Sequence, residues 1–163
     1  PALRTINAAA FGESPLARRS MLQDATHRRA AFPSRLRMFT NGSDTVDVKR
    51  AALDPVVKIA RWGALSAGSL EVSTLGRLDA AAAANTLDAE DVSSLHECFE
   101  WLLRYRWRRR VGPWLRHERV DDAVSLSEVA PQERAMLRSV AREVAGISRK
   151  LTYLASTASL GGT

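Results

Sequence analysis

The chain holds a single cysteine, Cys98, among 163 residues. One thiol excludes an internal disulfide framework and fits a reducing compartment, so a cytoplasmic location is expected. No apolar run is long enough to span a bilayer, and no membrane partner is expected. The opening stretch PALRTINAAAF lacks the basic flank and long apolar core of a signal peptide. Glycine and proline are scarce, at nine and six residues. That scarcity, together with abundant alanine, favours helix. Histidine is scarcer still, at three residues, and no two have the spacing of a metal-ligand pair. HECFE at His96 starts like a zinc-protease helix but carries Glu100 where the second histidine belongs. GALSAG has one residue too many for a nucleophile elbow. No glycine-rich phosphate loop occurs, so nothing in the sequence supports independent catalysis.

What the chain does have is helical punctuation. Ser14 as N-cap with Pro15 at the first helical position predicts a helix to about His27, after a turn or two of helix over 3–11. Asp54 and Pro55 repeat the signal, and Gly68 should end that second helix. Thr74 is expected to cap a short alanine-rich helix to about Ala84. Asp88 should cap a long element that Gly112-Pro113 kinks. VDDAVSLSEV reads as a polar connector. Pro131 opens a last helix in which Leu137, Val140, Val144, Ile147, Leu151 and Leu154 form an apolar seam, and the tail STASLGGT should fray. PSRLRMF and TVDVK alternate around Asn41-Gly42 as a β-hairpin does, pairing Met38 with Val46 and Leu36 with Val48. The expected fold is all-α, an antiparallel helical bundle in one domain over 1–163, with a small β-hairpin near residues 35–49.

Two stretches invite chemistry. NGSDTVDVKR places a Gly-Ser before two aspartates, as a nucleotidyltransferase site does. There a D-x-D pair sets both carboxylates on one side of a strand to hold Mg²⁺. Asp44 and Asp47 are three apart, which does not do this, and a turn is the better reading. WLLRYRWRRRVGPWLRHER interleaves Trp101, Tyr105 and Trp107 with five arginines between positions 104 and 110. The net charge is +6 and is carried almost entirely by arginine, which suits bidentate phosphate or carboxylate contacts. Stacking rings plus cations bind nucleotides or single strands. The same pattern also makes an ordinary solvated face with aromatics packed inward. Helical spacing points Arg104 and Arg108 outward. It points Arg106 and Arg110 along the stripe of Val92, Leu95, His96, Phe99 and Leu103, where His96 would be a hydrogen-bonded core histidine. A guanidinium on that stripe needs a partner. Asp47, Glu143 and an anionic ligand are the candidates, and a structural ion pair is the favoured one.

VDVKRAALDPVVKIARWGAL, then AEDVSSLHECFEWLLRYRWRRR, then LSEVAPQERAMLRSVAREV together resemble the nucleotidyltransferase substrate-binding domain. That domain is the C-terminal helical part of bacterial signalling proteins related to PII uridylyltransferase, often found with CBS or cyclic-nucleotide-binding modules. The matching motifs are Asp47-Val48-Lys49-Arg50, Leu53 to Arg61, Phe99 to Arg106 and Pro131 to Arg134, in family order. Where the family often carries His-Gln after the arginine helix, this chain has Arg109-Arg110. The resemblance implies a C-terminal fragment that is not itself an enzyme, working beside an upstream nucleotidyltransferase domain of the same polypeptide. Mg²⁺ and a nucleoside triphosphate would belong to that catalytic domain, with no cofactor in this chain. It implies a role in signal transduction, presenting an acceptor protein or a nucleotide. Asp47, Lys49, Arg50, Arg104 and Arg106 are the expected substrate-binding residues, as a charged wall. Nucleic acid is the less favoured partner, and a purely structural or dimerising bundle is the other alternative.

Overall fold

The computed structural model describes residues 2–27, 30, 32 and 44–160. Six α-helices and one two-stranded sheet are found among them: α1 Ala2–Glu13, α2 Pro15–His27, β1 Thr45–Asp47, α3 Asp54–Ser66, α4 Thr74–Ala83, α5 Ala89–Leu115, β2 Ala123–Ser125 and α6 Pro131–Leu160. The mostly helical bundle expected from composition is present. Helix α3 packs on α4, α4 on α5, α5 on α6 and α6 on α2, which returns to α3. The core inside this ring holds Val56, Ile59, Leu78, Leu95, Leu102, Tyr105, Leu137 and Val144, all essentially without exposure.

Most helix ends obey local chemistry. Ser14 Oγ accepts the Ala17 N–H, so it caps α2 as expected. At the far end of α3, Gly68 has φ +67. Its N–H donates to Leu65 O while the Ser69 N–H reaches back to Ala64 O. This left-handed closure is one that glycine adopts without Cβ strain. Two expected caps shift. Helix α4 is capped by Ser73, whose Oγ accepts the Gly76 N–H at 3.0 Å, one residue before Thr74. Asp88 stands at the N-cap position of α5 but makes no side-chain cap bond, because its carboxylate pairs with Lys150 of α6.

Asp54 is not the N-cap of α3, a position held by Leu53, but its first residue. It already has helical dihedrals, and its N–H donates to Lys49 O across a π-helical turn, Lys49–Leu53, that runs straight into α3. The physical reason is Pro55, which has no N–H and whose ring would strike the carbonyl four residues back in a regular helix. A wider turn relieves that clash. The residue that caps this composite helix is Asp47, whose Oδ1 accepts the Arg50 N–H at 2.9 Å.

Strand β1 lies within the expected hairpin, but its partner here is β2, within the stretch expected to be a mere connector. The ladder is antiparallel and pairs Thr45 with Ser125, Val46 with Val124 and Asp47 with Ala123. The other arm of the expected hairpin, with Leu36, Arg37 and Met38, lies outside the described residues. Helix α5 continues through Pro113 as expected and ends two residues later at Leu115. Its end is closed by His117 at φ 58, with the Glu118 N–H bonded to Pro113 O. In α6 the seam is buried from Leu137 to Leu151, whereas Leu154 is exposed, and the helix continues into the tail expected to fray.

Candidate functional site

The buried face of α5 is Val92, Leu95, Cys98, Leu102 and Tyr105. After Phe99 the core therefore follows Leu102 and Tyr105, and Leu103 is left exposed. This differs from the stripe read through Leu103, and it changes where the arginines stand. Arg106 and Arg110 are at the edge of the core, lining a groove of about 400 Å³ with Leu103, Trp107, Val111, Trp114 and Val120. The groove lies along α5 and is closed by the chain returning toward β2. Trp107 and Trp114 are 67% and 65% exposed on it, large apolar areas to leave in water.

At one end of the groove Arg106 forms a two-armed ion pair with Asp122. Nε lies 2.7 Å from Oδ1, and Nη2 lies 2.8 Å from Oδ2. Each side chain is only 14% exposed. Such forked geometry is the strong form of the contact. The hydrogen bonds to Arg106 hold Asp122 below the usual carboxylate range against the opposing effect of burial, with help from the charges of Arg106, Arg110 and Lys49. Arg106 is in turn raised, first by its hydrogen bonds to Asp122, with the Asp47 and Asp54 charges contributing less. Asp47 is thus a distant neighbour of Arg106, and the partner is Asp122. Asp122 also positions backbone, since its carbonyl accepts the Val48 N–H at 3.0 Å. Nothing in a short polar stretch marks one aspartate for this role, and only the sheet brings it to α5.

The five expected binding residues do not form one wall. Arg104 is exposed on another side of α5 and pairs with Glu100 one turn back. Asp47 caps the π turn and lies 3.5 Å from Arg50 Nε, with both largely exposed. Lys49 is exposed, within electrostatic reach of Asp122. Sequence reading missed Asp122 and Trp114 as parts of the site. Trp114, at seven residues from Trp107, could have been found from the two-turn repeat.

Arg110 differs from its neighbours. Its Nε is buried and meets no hydrogen-bond acceptor among the described residues. Asp44 shows the opposite condition. Its Oδ2 accepts from the Ser127 N–H at 2.9 Å and the Ser125 hydroxyl at 2.8 Å. These contacts, Ser127 first, hold it below the usual carboxylate range. Asp44 and Asp47 both serve backbone donors on different elements, so they do not fit a Mg²⁺ pair. Among the described residues, no three His, Cys, Asp or Glu side chains converge as metal ligands would. His96 is half-buried and reaches out of α5, with Nε2 3.0 Å from Asp79 Oδ1 of α4. No helix among the described residues is long and apolar enough to cross a membrane.

A family model described as "Putative nucleotidyltransferase substrate binding domain" matches residues 15–154. No curated protein and no solved structure matches the chain.

Proposed function

The chain belongs to the nucleotidyltransferase substrate-binding domain family, and from that premise we propose that it is a non-catalytic accessory domain of a bacterial signal-transduction enzyme. In this reading it presents an acceptor or a nucleotide to a uridylyltransferase-like catalytic domain of the same polypeptide, in the cytoplasm. That catalytic domain supplies the Mg²⁺ and nucleoside triphosphate sites. The observation that carries the reading is the α5 groove, where two exposed indoles flank a guanidinium whose Nε has no partner among the described residues. Aromatic rings and arginine are the side chains that concentrate binding energy at recognition sites. Of the residues expected from sequence, Arg106 fixes one end of the groove, and Lys49 belongs to the same charged corner. Asp47, Arg50 and Arg104 would act at its margin.

The test is kinetic. In the polypeptide carrying both domains, Trp107→Ala and Arg110→Ala should raise the KM of one substrate about tenfold while kcat is retained, the mark of lost ground-state binding. The chain alone, given labelled UTP or ATP with Mg²⁺ and candidate acceptors, should incorporate nothing. Unchanged KM values for both substrates would refute the groove as the binding face. Labelling by the chain alone would refute the accessory role.

A further inference from the structure

The apolar surface of α5 runs the whole length of the groove. Leu103, Trp107, Val111 and Trp114 recur at three- and four-residue steps. At 1.5 Å per residue they form a strip about 16 Å long, or three helical turns. Leu115 extends it and is also exposed. A strip of this length suits an extended partner better than one nucleotide. The polar groups point the same way. Arg106 has committed Nε and Nη2 to Asp122, which leaves Arg110 as the groove's arginine without an ion pair among the described residues. One guanidinium matches a single carboxylate, whereas a triphosphate presents several charges. The spacing of indoles by aliphatic side chains also suits interdigitating side chains. Stacked bases would call for a continuous run of rings.

Charge complementarity completes the argument. Arg108, Arg109 and Arg110 form no ion pair with a carboxylate among the described residues, although Arg109 lies over the Tyr105 ring at 5.9 Å. Helical periodicity sets Arg110 at one edge of the strip and Arg108 beyond its other edge, while Arg109 points to the far face over Tyr105. The surface is therefore apolar along its middle and cationic at its edges, with Arg110 on one side and Arg108 on the other. We infer that the outer face of α5 docks an acidic amphipathic helix of a partner protein, its apolar side chains on Trp107 and Trp114 and a carboxylate on Arg110. This rests on reading the groove as the domain's binding face and names what that face takes. Helix-in-groove recognition of this kind is read through anchors one and two turns apart.

The experiment uses the chain and two synthetic helical peptides of equal length. Both carry leucines at i, i+4 and i+7. One is flanked by glutamates and the other by lysines. Binding is read from the indole N–H signals of Trp107 and Trp114 and from titration calorimetry. The glutamate peptide should shift both signals and bind at least about tenfold more tightly than the lysine peptide. Trp107→Ala and Arg110→Glu should each weaken it about tenfold with the circular dichroism spectrum unchanged. The inference is overturned if the glutamate peptide does not bind, if the lysine peptide binds equally well, or if both variants bind as the parent does. It is overturned equally if single-stranded oligonucleotide or UTP displaces the peptide more effectively than added peptide does, or if the strip is consumed by concentration-dependent self-association. Peptide docking that fails while groove variants still change the KM for the triphosphate would sink this inference and leave the accessory role standing.

Discussion

Replacing Arg106 by alanine removes both arms of its fork and leaves Asp122 as a mostly buried carboxylate without its main partner. Breaking a buried pair from one side typically costs about 3–5 kcal/mol. The lower end applies here, because Lys49 and Arg110 still act on Asp122 through their charges and the site keeps some access to water. About 3 kcal/mol corresponds to a fall in Tm of about 6–12 °C for a domain of this size. The loss should spread beyond the pair, since the Asp122 carbonyl also accepts the Val48 N–H at the start of the π turn. Amides of β1 and Val48 should therefore exchange faster than those of the α3–α4 contact.

The pH dependence has a definite sign. Asp122 is depressed in the folded state, so its contribution is fully present above the unfolded carboxylate value near pH 4 and is lost as pH falls through the folded value. The gap in Tm between parent and Arg106→Ala should thus be full at pH 7 and narrow below about pH 4. Thermal unfolding followed by circular dichroism, with Asp122→Asn and the double variant completing a cycle, measures this. The double variant should be more stable than the sum of the two single losses implies. A parent and an Arg106→Ala protein that melt within about 2 °C of each other at pH 7 would refute the reasoning, since a lost buried pair cannot be that small.

Gly63→Ala should destabilise the chain by about 1–3 kcal/mol, because the added Cβ would lie 2.9 Å from Ala81 Cβ and 3.1 Å from Leu87 Cδ1; chemical denaturation checks it, and a neutral result would mean that α3 and α4 separate easily. Asp47→Ala removes the acceptor of the Arg50 N–H and should cost about 1 kcal/mol, with faster amide exchange confined to the π turn. The Cys98 thiol is pushed up to about 11 by burial first and by the Glu143 and Glu97 charges next. Ellman's reagent at pH 7.5 should therefore leave it unmodified until denaturant is added, and prompt reaction in the native state would contradict its placement in the core.

The parts of this fold legible in the sequence are those with local causes. Ser14 before Pro15, Gly68 after an apolar helix and Pro131 before another act on their own neighbours, and each does so here. The helix through Pro113 was legible for the same reason, whereas the turn expected at 41–43 lies outside the described residues. The site was only half legible. Periodicity placed Arg106 at the core edge and called for a partner, but Asp122 reaches it through a sheet that no local pattern announces. Three-residue strands carry too little alternation to stand out. The same weakness hid the change of face after Phe99, which turns Leu103 outward and opens the groove. Asp54-Pro55 looked like a helix start because a proline at the first turn and a proline accommodated by a π turn share one local signature.

The β1–β2 ladder also has an entropic meaning. Beside it Asp44 bonds Ser125, a separation of 81, so the ladder closes a loop containing α3, α4 and α5. Closing a chain of that length costs about 4 kcal/mol by the length dependence alone. The hydrogen bonds of three residue pairs alone would not hold it shut, as isolated two-stranded ribbons are marginal in water. Val48, Val124 and Leu126 are the side chains that hold it, at 0%, 3% and 1% exposure. At about 1.5–3 kcal/mol for each buried aliphatic side chain, together they exceed the closure cost. The Asp44 and Asp122 hydrogen bonds then fix which residues face one another. The sheet is in effect a latch on the bundle, hydrophobic in its strength and polar in its alignment. Truncating Val124 would loosen α5 from α3 without touching either helix.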